Sequence, residues 1–167
     1  MFQHEVKLRV RYADTDQMGF VYYGNYAAFY EVARVESFRN LGFSYKNLES
    51  SGVGMPVLHM QSSYHAPARY DDLLKIIIKI PEMPRARIRY EYEIYNEEAQ
   101  LLNTGETTLA FINMSNGRPV KIPENLKALI SAYFKNWSYF FLFDHTVYLK
   151  HFVPQSGGFH KIQEIGR

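Results

Sequence analysis

The chain has 167 residues, 47% of them hydrophobic, and its 19 basic and 17 acidic side chains leave a net charge of +2. That length supports one domain with a real core and excludes two comfortable ones, and the lack of cysteine removes disulfides, thiolate metal sites and cysteine nucleophiles together. The charges are interspersed rather than gathered into a stripe for nucleic acid, no apolar run approaches the ~20 residues that span a bilayer, and no apolar segment follows Met1 to mark export, so a soluble, cytoplasmic protein without stable membrane insertion is expected.

Residues 4–12 alternate Val6, Leu8, Val10 and Tyr12 with Lys7, Arg9 and Arg11, the period of two that predicts a half-exposed strand. Turn-forming residues 13–19 interrupt the alternation. From Asn25 to Leu41 the spacing changes to about 3.6, which predicts a helix with Tyr26, Phe29, Tyr30, Ala33, Phe38 and Leu41 on one face. Glu31, Arg34 and Arg39 are left for the outside or for pairing. Asn25 is placed to cap its start, and Gly42 to end it.

Residues 42–54 read as a loop or short helix. Strands are expected at 56–64, 73–80, 86–95 and 101–113, separated by turn chemistry at 67–71, 81–84, 96–99 and 115–119. A second short helix is expected at 124–134, with Pro123 near its start. One strand, one long helix and several strands make an α+β domain, a helix against a strongly curved antiparallel sheet. Residues 74–80 read as apolar on both sides, which favours a homodimer or homotetramer. The domain covers 1–135, and 136–167 form a distinct tail: from Trp137 on, eight of 31 residues are aromatic, against 19 of the preceding 136.

The chemistry concentrates between Tyr12 and Tyr26. Asp16 lies beside Gly19, a few residues before a helix whose free N–H groups and dipole favour an oxyanion. A carboxylate near such donors suits acyl transfer, although Asp14, Thr15 and Asp16 also read as turn and capping residues. Elsewhere the signals are weaker. His59 and His65 stand near Ser62 and Ser63, but strand neighbours alternate faces and no G-x-S-x-G elbow exists. Gly52 and Gly54 form a loop rather than a dinucleotide fingerprint, and no histidine or acidic spacing predicts a metal.

The string R-Y-x-D-T-D-x-M-G-x-V-Y-Y-G-N-Y, followed by Glu31-Val-Ala-Arg34, resembles the 4-hydroxybenzoyl-CoA thioesterase-like, hotdog-fold acyl-CoA thioesterases, in particular the bacterial branch associated with the Tol-Pal system. Residues 64–72, 95–97, 104–111 and 117–123 resemble the family's later strands and turns, so the likeness runs from about Val6 to Tyr133. It implies a hotdog fold, a long helix wrapped by about five antiparallel strands, and hydrolysis of acyl-CoA or acyl carrier protein thioesters. It places the catalytic aspartate on Asp16 and the carbonyl-polarising helix start at Tyr23, Gly24 and Asn25, with Met18, Gly19 and Tyr26 against the substrate. Coenzyme A enters as part of the substrate and no cofactor is implied; Arg118, Lys121 or Arg69 would meet its phosphates. Many bacterial members carry histidine where this chain has Tyr23, so that histidine's role does not transfer. The rival readings are a hotdog hydratase or dehydratase, which would use histidine with an acidic partner, and a non-catalytic acyl-thioester binding protein.

Overall fold

A computed structural model describes residues 1–134; the 136–167 tail lies outside the described residues. Strand β1 spans Phe2–Arg9, helix α1 Tyr26–Asn40, the short helix α2 Tyr45–Ser50 and the two-residue strand β2 Val53–Gly54. Strands β3 (Val57–Tyr64), β4 (Leu73–Ile80), β5 (Arg87–Tyr95) and β6 (Leu101–Ala110) follow, then β7 (Ile112–Asn113) and helix α3 (Glu124–Ser131). Five strands form one antiparallel sheet in the order β1-β4-β5-β6-β3, while β2 pairs with β7.

Strict alternation builds the sheet's inner face. Leu74, Ile76, Ile78 and Ile80 of β4 and Ile88, Tyr90, Tyr92 and Ile94 of β5 are all buried. Lys75, Lys79, Arg89, Glu91 and Glu93 occupy the intervening positions and face outward. The expectation that residues 74–80 are apolar on both sides is therefore corrected: between the two lysines only Ile77 carries an aliphatic side chain outward. The more exposed element is the edge strand β3, where Val57, Leu58, Met60 and Tyr64 all reach solvent. Two strand ends also shift. β1 stops at Arg9 instead of reaching Tyr12, because Arg11 is drawn into a turn by Asp14 and Tyr12 is left 80% exposed. β6 stops at Ala110, because Phe111 turns its N–H to the Ala86 carbonyl and buries its ring.

Helix α1 touches every strand of that sheet, which is the hotdog arrangement. It packs on β1 and β4, Arg34 Nη1 donates to the Tyr92 hydroxyl of β5 at 3.1 Å, and the Tyr30 hydroxyl meets Asn103 of β6 and Ser62 of β3, the latter at 2.9 Å. Tyr26, Tyr30, Arg34 and Phe38 follow one another at i, i+4 on one stripe, and all are buried. Of the two places expected for Arg34, the outside or a pairing, helical register gives it the inner one, buried against Tyr92. Its guanidinium joins Tyr92, whose hydroxyl lies 2.7 Å from Thr107 Oγ1. The helix ends as expected at Gly42, φ +74°, with Gly42 N–H on Arg39 C=O, Phe43 N–H on Phe38 C=O, and the two phenyl rings 5.5 Å apart edge to face. Among the described residues no helix is long and apolar enough to cross a membrane.

The Tyr30 side chain of α1 leaves no room for a side chain at Gly105 of β6. A methyl group there would stand 2.2 Å from the Tyr30 hydroxyl oxygen, and Tyr30 is fully buried, stacked on Tyr92 at 4.2 Å. Gly105→Ala is therefore expected to destabilise the fold by overpacking, about 1–3 kcal/mol. Urea denaturation of the variant beside the wild type measures it, and an unchanged midpoint would contradict the packing described.

Candidate active site

The site is built from the loop between β1 and α1. Strand β1 is prolonged to Val10 by backbone bonds to Asp72 C=O (3.0 Å) and from Asp71 N–H (3.1 Å). The chain then turns once through Tyr12–Asp14. Asp14 closes that turn: its carboxylate accepts the Arg11 backbone N–H at 2.8 Å and both edges of the Arg11 guanidinium, Nη2 at 2.8 Å and Nε at 3.1 Å. The side chain is buried, and the Arg11 hydrogen bonds hold its carboxyl below the usual carboxylate range. Its backbone carbonyl does further work, accepting Tyr22 N–H at 2.9 Å and Asn25 Nδ2 at 2.8 Å.

Asp16 begins a second, tighter loop. Thr15 pairs with Val21 across it, Asp16 N–H bonds Phe20 C=O at 2.9 Å, and Gly19, φ +76°, supplies the left-handed residue that returns the chain. Asp16 Oδ1 accepts Met18 N–H at 2.9 Å, and Oδ2 has no partner among the described residues. The two aspartates of the D-x-D string are thereby separated. Asp14 is the turn residue that the string's plainer reading expects, and Asp16 keeps an uncommitted oxygen.

Beyond Tyr22 the chain enters a 3-10 turn, Tyr23–Asn25, that runs into α1. Asn25 N–H bonds Tyr22 C=O at 2.9 Å and Tyr26 N–H bonds Tyr23 C=O. Among the described residues the N–H groups of Tyr23 and Gly24 have no partner, so they are the donors left at the helix start. Asn25 does not cap with its side chain, as the sequence led us to expect; its amide reaches back to Asp14 and ties helix to loop.

These elements meet in a cavity of about 320 Å³. Asp16, Met18, Phe20, Val21, Tyr23 and Tyr26 line one side, and Tyr64, His65, Ala66 and Pro67 the other. Burial raises the Tyr26 phenol above its ordinary value, so it stays neutral, and its ring meets Tyr64 edge to face at 5.2 Å. Of the residues expected here, Asp16, Met18, Tyr23 and Tyr26 line the cavity, Gly19 sits at the loop tip, and Gly24 contributes a backbone N–H, whereas Asn25, expected as a further donor, has its N–H on Tyr22 C=O. Arg118 and Lys121 do not line it; Arg118 lies in the turn after β7 and Lys121 just before α3. Arg69 does come near, its guanidinium 4.9 Å above the Phe20 ring.

Tyr64 and His65 are cavity residues that were not among those expected from the sequence. The strand ends at Tyr64, where both His65 N–H and Ala66 N–H turn to the carbonyl of Leu102, at 2.8 and 3.2 Å. Strand alternation holds: Tyr64 faces Tyr26 of the helix, and the His65 ring turns to the other face, its Nε2 2.9 Å from Thr104 Oγ1. Pro67 was the available signal, since a proline ends strand pairing. Among the described residues no serine joins His65: Ser62 is tied to Tyr30 and accepts from Asn103 Nδ2 at 2.8 Å.

The sequence pattern of the Thioesterase-like superfamily matches residues 10–130. The chain is 37% identical over 121 residues to an acyl-CoA thioester hydrolase YbgC of Escherichia coli O157:H7, covering 72% of this chain and 90% of that one. It is 31% identical to an acyl-CoA thioesterase YbgC of Haemophilus influenzae, covering 72% and 89%. Among solved structures, a DHNA-CoA thioesterase from Staphylococcus aureus superposes with a TM-score of 0.75 at 35% identity, over 81% of this chain and 91% of that one.

Asp14→Asn removes the charge from the Arg11 clamp and is expected to destabilise the fold modestly, because Arg11 is solvent-screened. A carboxyl held below its ordinary ~3.9 stabilises the fold fully above that value and loses the contribution as pH falls through its folded value. Thermal denaturation should therefore show the gap between wild type and variant constant from pH 6 to 8 and closing below about pH 4. A gap that widens on acidification would contradict the clamp.

Proposed function

The chain belongs to the thioesterase-like superfamily, and from that membership and the Asp16 cavity we propose that it hydrolyses acyl-CoA thioesters with Asp16 as its catalytic carboxylate. The observation that carries the reading is a single cavity holding an aspartate with one uncommitted oxygen beside Tyr23, whose N–H, like that of Gly24, has no partner among the described residues. Thioester cleavage needs a group that attacks the carbonyl or activates water, and donors aimed at the developing oxyanion. Asp16 supplies the first and the two backbone N–H groups the second. Tyr23 takes part through its backbone and its ring wall.

The cavity's aromatic walls, Phe20, Tyr23, Tyr26 and Tyr64, suit an acyl group, and Arg69 at Phe20 is the basic residue best placed for the phosphates of coenzyme A or of an acyl carrier protein's phosphopantetheine arm. No cofactor is needed for this chemistry. A cytoplasmic setting fits a substrate of that kind. We place a second copy of the chain on β3, whose exposed Val57, Leu58 and Met60 flank an unpaired strand edge adjoining the cavity at Tyr64. A homodimer, or a homotetramer built from it, covers that edge.

A second reading has one observation in its favour: Asp16 and His65 share the cavity, and histidine with an acidic partner is what a hydratase requires. Hydration of an enoyl-CoA without release of thiol would support it.

Two measurements test the proposal. Asp16→Asn preserves shape and removes charge, and thiol release from acetyl-, hexanoyl- and benzoyl-CoA is expected to fall about 10²–10⁴-fold. Near-normal hydrolysis by that variant would sink the assignment. In sedimentation the wild type should run as a dimer or tetramer, and Leu58→Lys with Met60→Lys should move it toward the monomer; a wild type that is monomeric at all concentrations removes the β3 contact.

A further inference from the structure

One peptide at the helix start is held from across the cavity. The Tyr23 carbonyl accepts the Tyr26 N–H within the 3-10 turn, and it also accepts the Tyr64 hydroxyl, 3.2 Å away, from the end of β3. That carbonyl belongs to the same peptide unit as the Gly24 N–H, which has no partner among the described residues. A peptide is planar and trans, so a contact that fixes the direction of its C=O fixes the opposite direction of its N–H. The bond from Tyr26 is internal to the turn and moves with it. Tyr64 stands on another element, and its ring rests edge to face on the buried Tyr26 ring at 5.2 Å. Its hydroxyl therefore ties the orientation of this peptide to the sheet.

We propose that Tyr64 is a positioning residue for thioester cleavage: by anchoring the Tyr23 carbonyl, its hydroxyl aims and strengthens the Gly24 N–H as an oxyanion donor. The inference rests on the thioesterase reading above and deepens it. One contribution is geometric, since a donor must stand about 2.7–3.1 Å from the place where the oxyanion forms, and a turn held only by its own bonds can tilt away from that place. The other is electronic. A carbonyl that accepts a further hydrogen bond draws density from its own nitrogen, and hydrogen bonds linked in a chain strengthen one another by about 10–30% each. As charge develops on the thioester oxygen, the chain runs from that oxygen through Gly24 N–H and Tyr23 C=O to the Tyr64 O–H, and no proton changes hands. The ground-state carbonyl carries less of that charge, so the gain falls on kcat more than on KM.

The Tyr64 ring also lines the cavity, so the hydroxyl must be separated from the wall. Tyr64→Phe does this, because phenylalanine keeps the ring and its edge contact with Tyr26. The residue is 49% exposed, so loss of the hydroxyl is expected to leave the urea midpoint unchanged.

The test is steady-state kinetics of wild type and Tyr64→Phe on whichever of acetyl-, hexanoyl- and benzoyl-CoA the wild type cleaves fastest. Infrared difference spectra accompany it, taken with the same thioester, isotope-labelled at its carbonyl and bound to Asp16→Asn with and without Tyr64→Phe. Removing an oxyanion donor outright costs about 10²–10³-fold in kcat; with the donor kept but less well aimed, Tyr64→Phe is expected to lose about 3–30-fold in kcat and to hold KM within about twofold. The labelled carbonyl band should lie at lower frequency on Asp16→Asn than in free thioester, and should move back toward the free position when the Tyr64 hydroxyl is removed. A raised KM with unchanged kcat would make Tyr64 a wall alone and overturn the proposal. Wild-type kinetics of Tyr64→Phe, or a lower kcat with an unmoved carbonyl band, would overturn it too. Each of these leaves the hydrolase reading intact, whereas a wild type that releases no thiol from any of the three substrates overturns both.

Discussion

The site depends on one buried carboxylate that takes no part in the chemistry. Asp14 gathers the Arg11 side chain and backbone with its carboxylate, and the Tyr22 backbone and Asn25 side chain with its carbonyl. Strand end, loop and helix start are thus fastened to one residue. With Asp14 in place, Asp16 is projected from a tight turn and the Tyr23–Asn25 segment is held beside it. A charge-assisted bidentate pair suits this role because it fixes angle as well as distance. Preorganisation of this kind matters for catalysis, since donors that are already aimed cost nothing to reorganise when charge develops.

The sheet provides the other half of the support. Helix α1 lies deep enough against β6 that Gly105 has no room for a side chain, and the Tyr30 hydroxyl is satisfied by Asn103 and Ser62 rather than by water. Burial pushes the Tyr30 phenol up to about 12, so the network stays neutral and its hydrogen-bond roles do not change near neutral pH. The same network holds β3 against the helix. Because β3 ends at Tyr64, the strand that anchors the helix through Ser62 also delivers the far wall of the cavity.

Much of this was legible in the sequence, for physical reasons that also explain the misses. Strand-forming runs between turn signals located β4 and β5, and the helical spacing with Gly42 located α1, because each signal is local and repeated. Arg34 was open between the outside and a pairing, and register decides it: a residue four beyond Tyr30 shares its stripe whatever its charge. Tyr12 was misread, since its alternation was sound but the Asp14 clamp overrode it. Asp16 was legible through its loop and the motif around it. Which N–H groups remain open was not, because that depends on Asn25 turning back to Asp14.

The three parts of the account converge on where a thioester carbonyl must lie. A crystal structure of Asp16→Asn soaked with a cleavable acyl-CoA would show it directly. The carbonyl oxygen is predicted to stand about 2.7–3.1 Å from the N–H groups of Tyr23 and Gly24, with the carbonyl carbon against residue 16. An acyl-CoA bound with its carbonyl away from the helix start, its thioester remote from residue 16, would contradict the account.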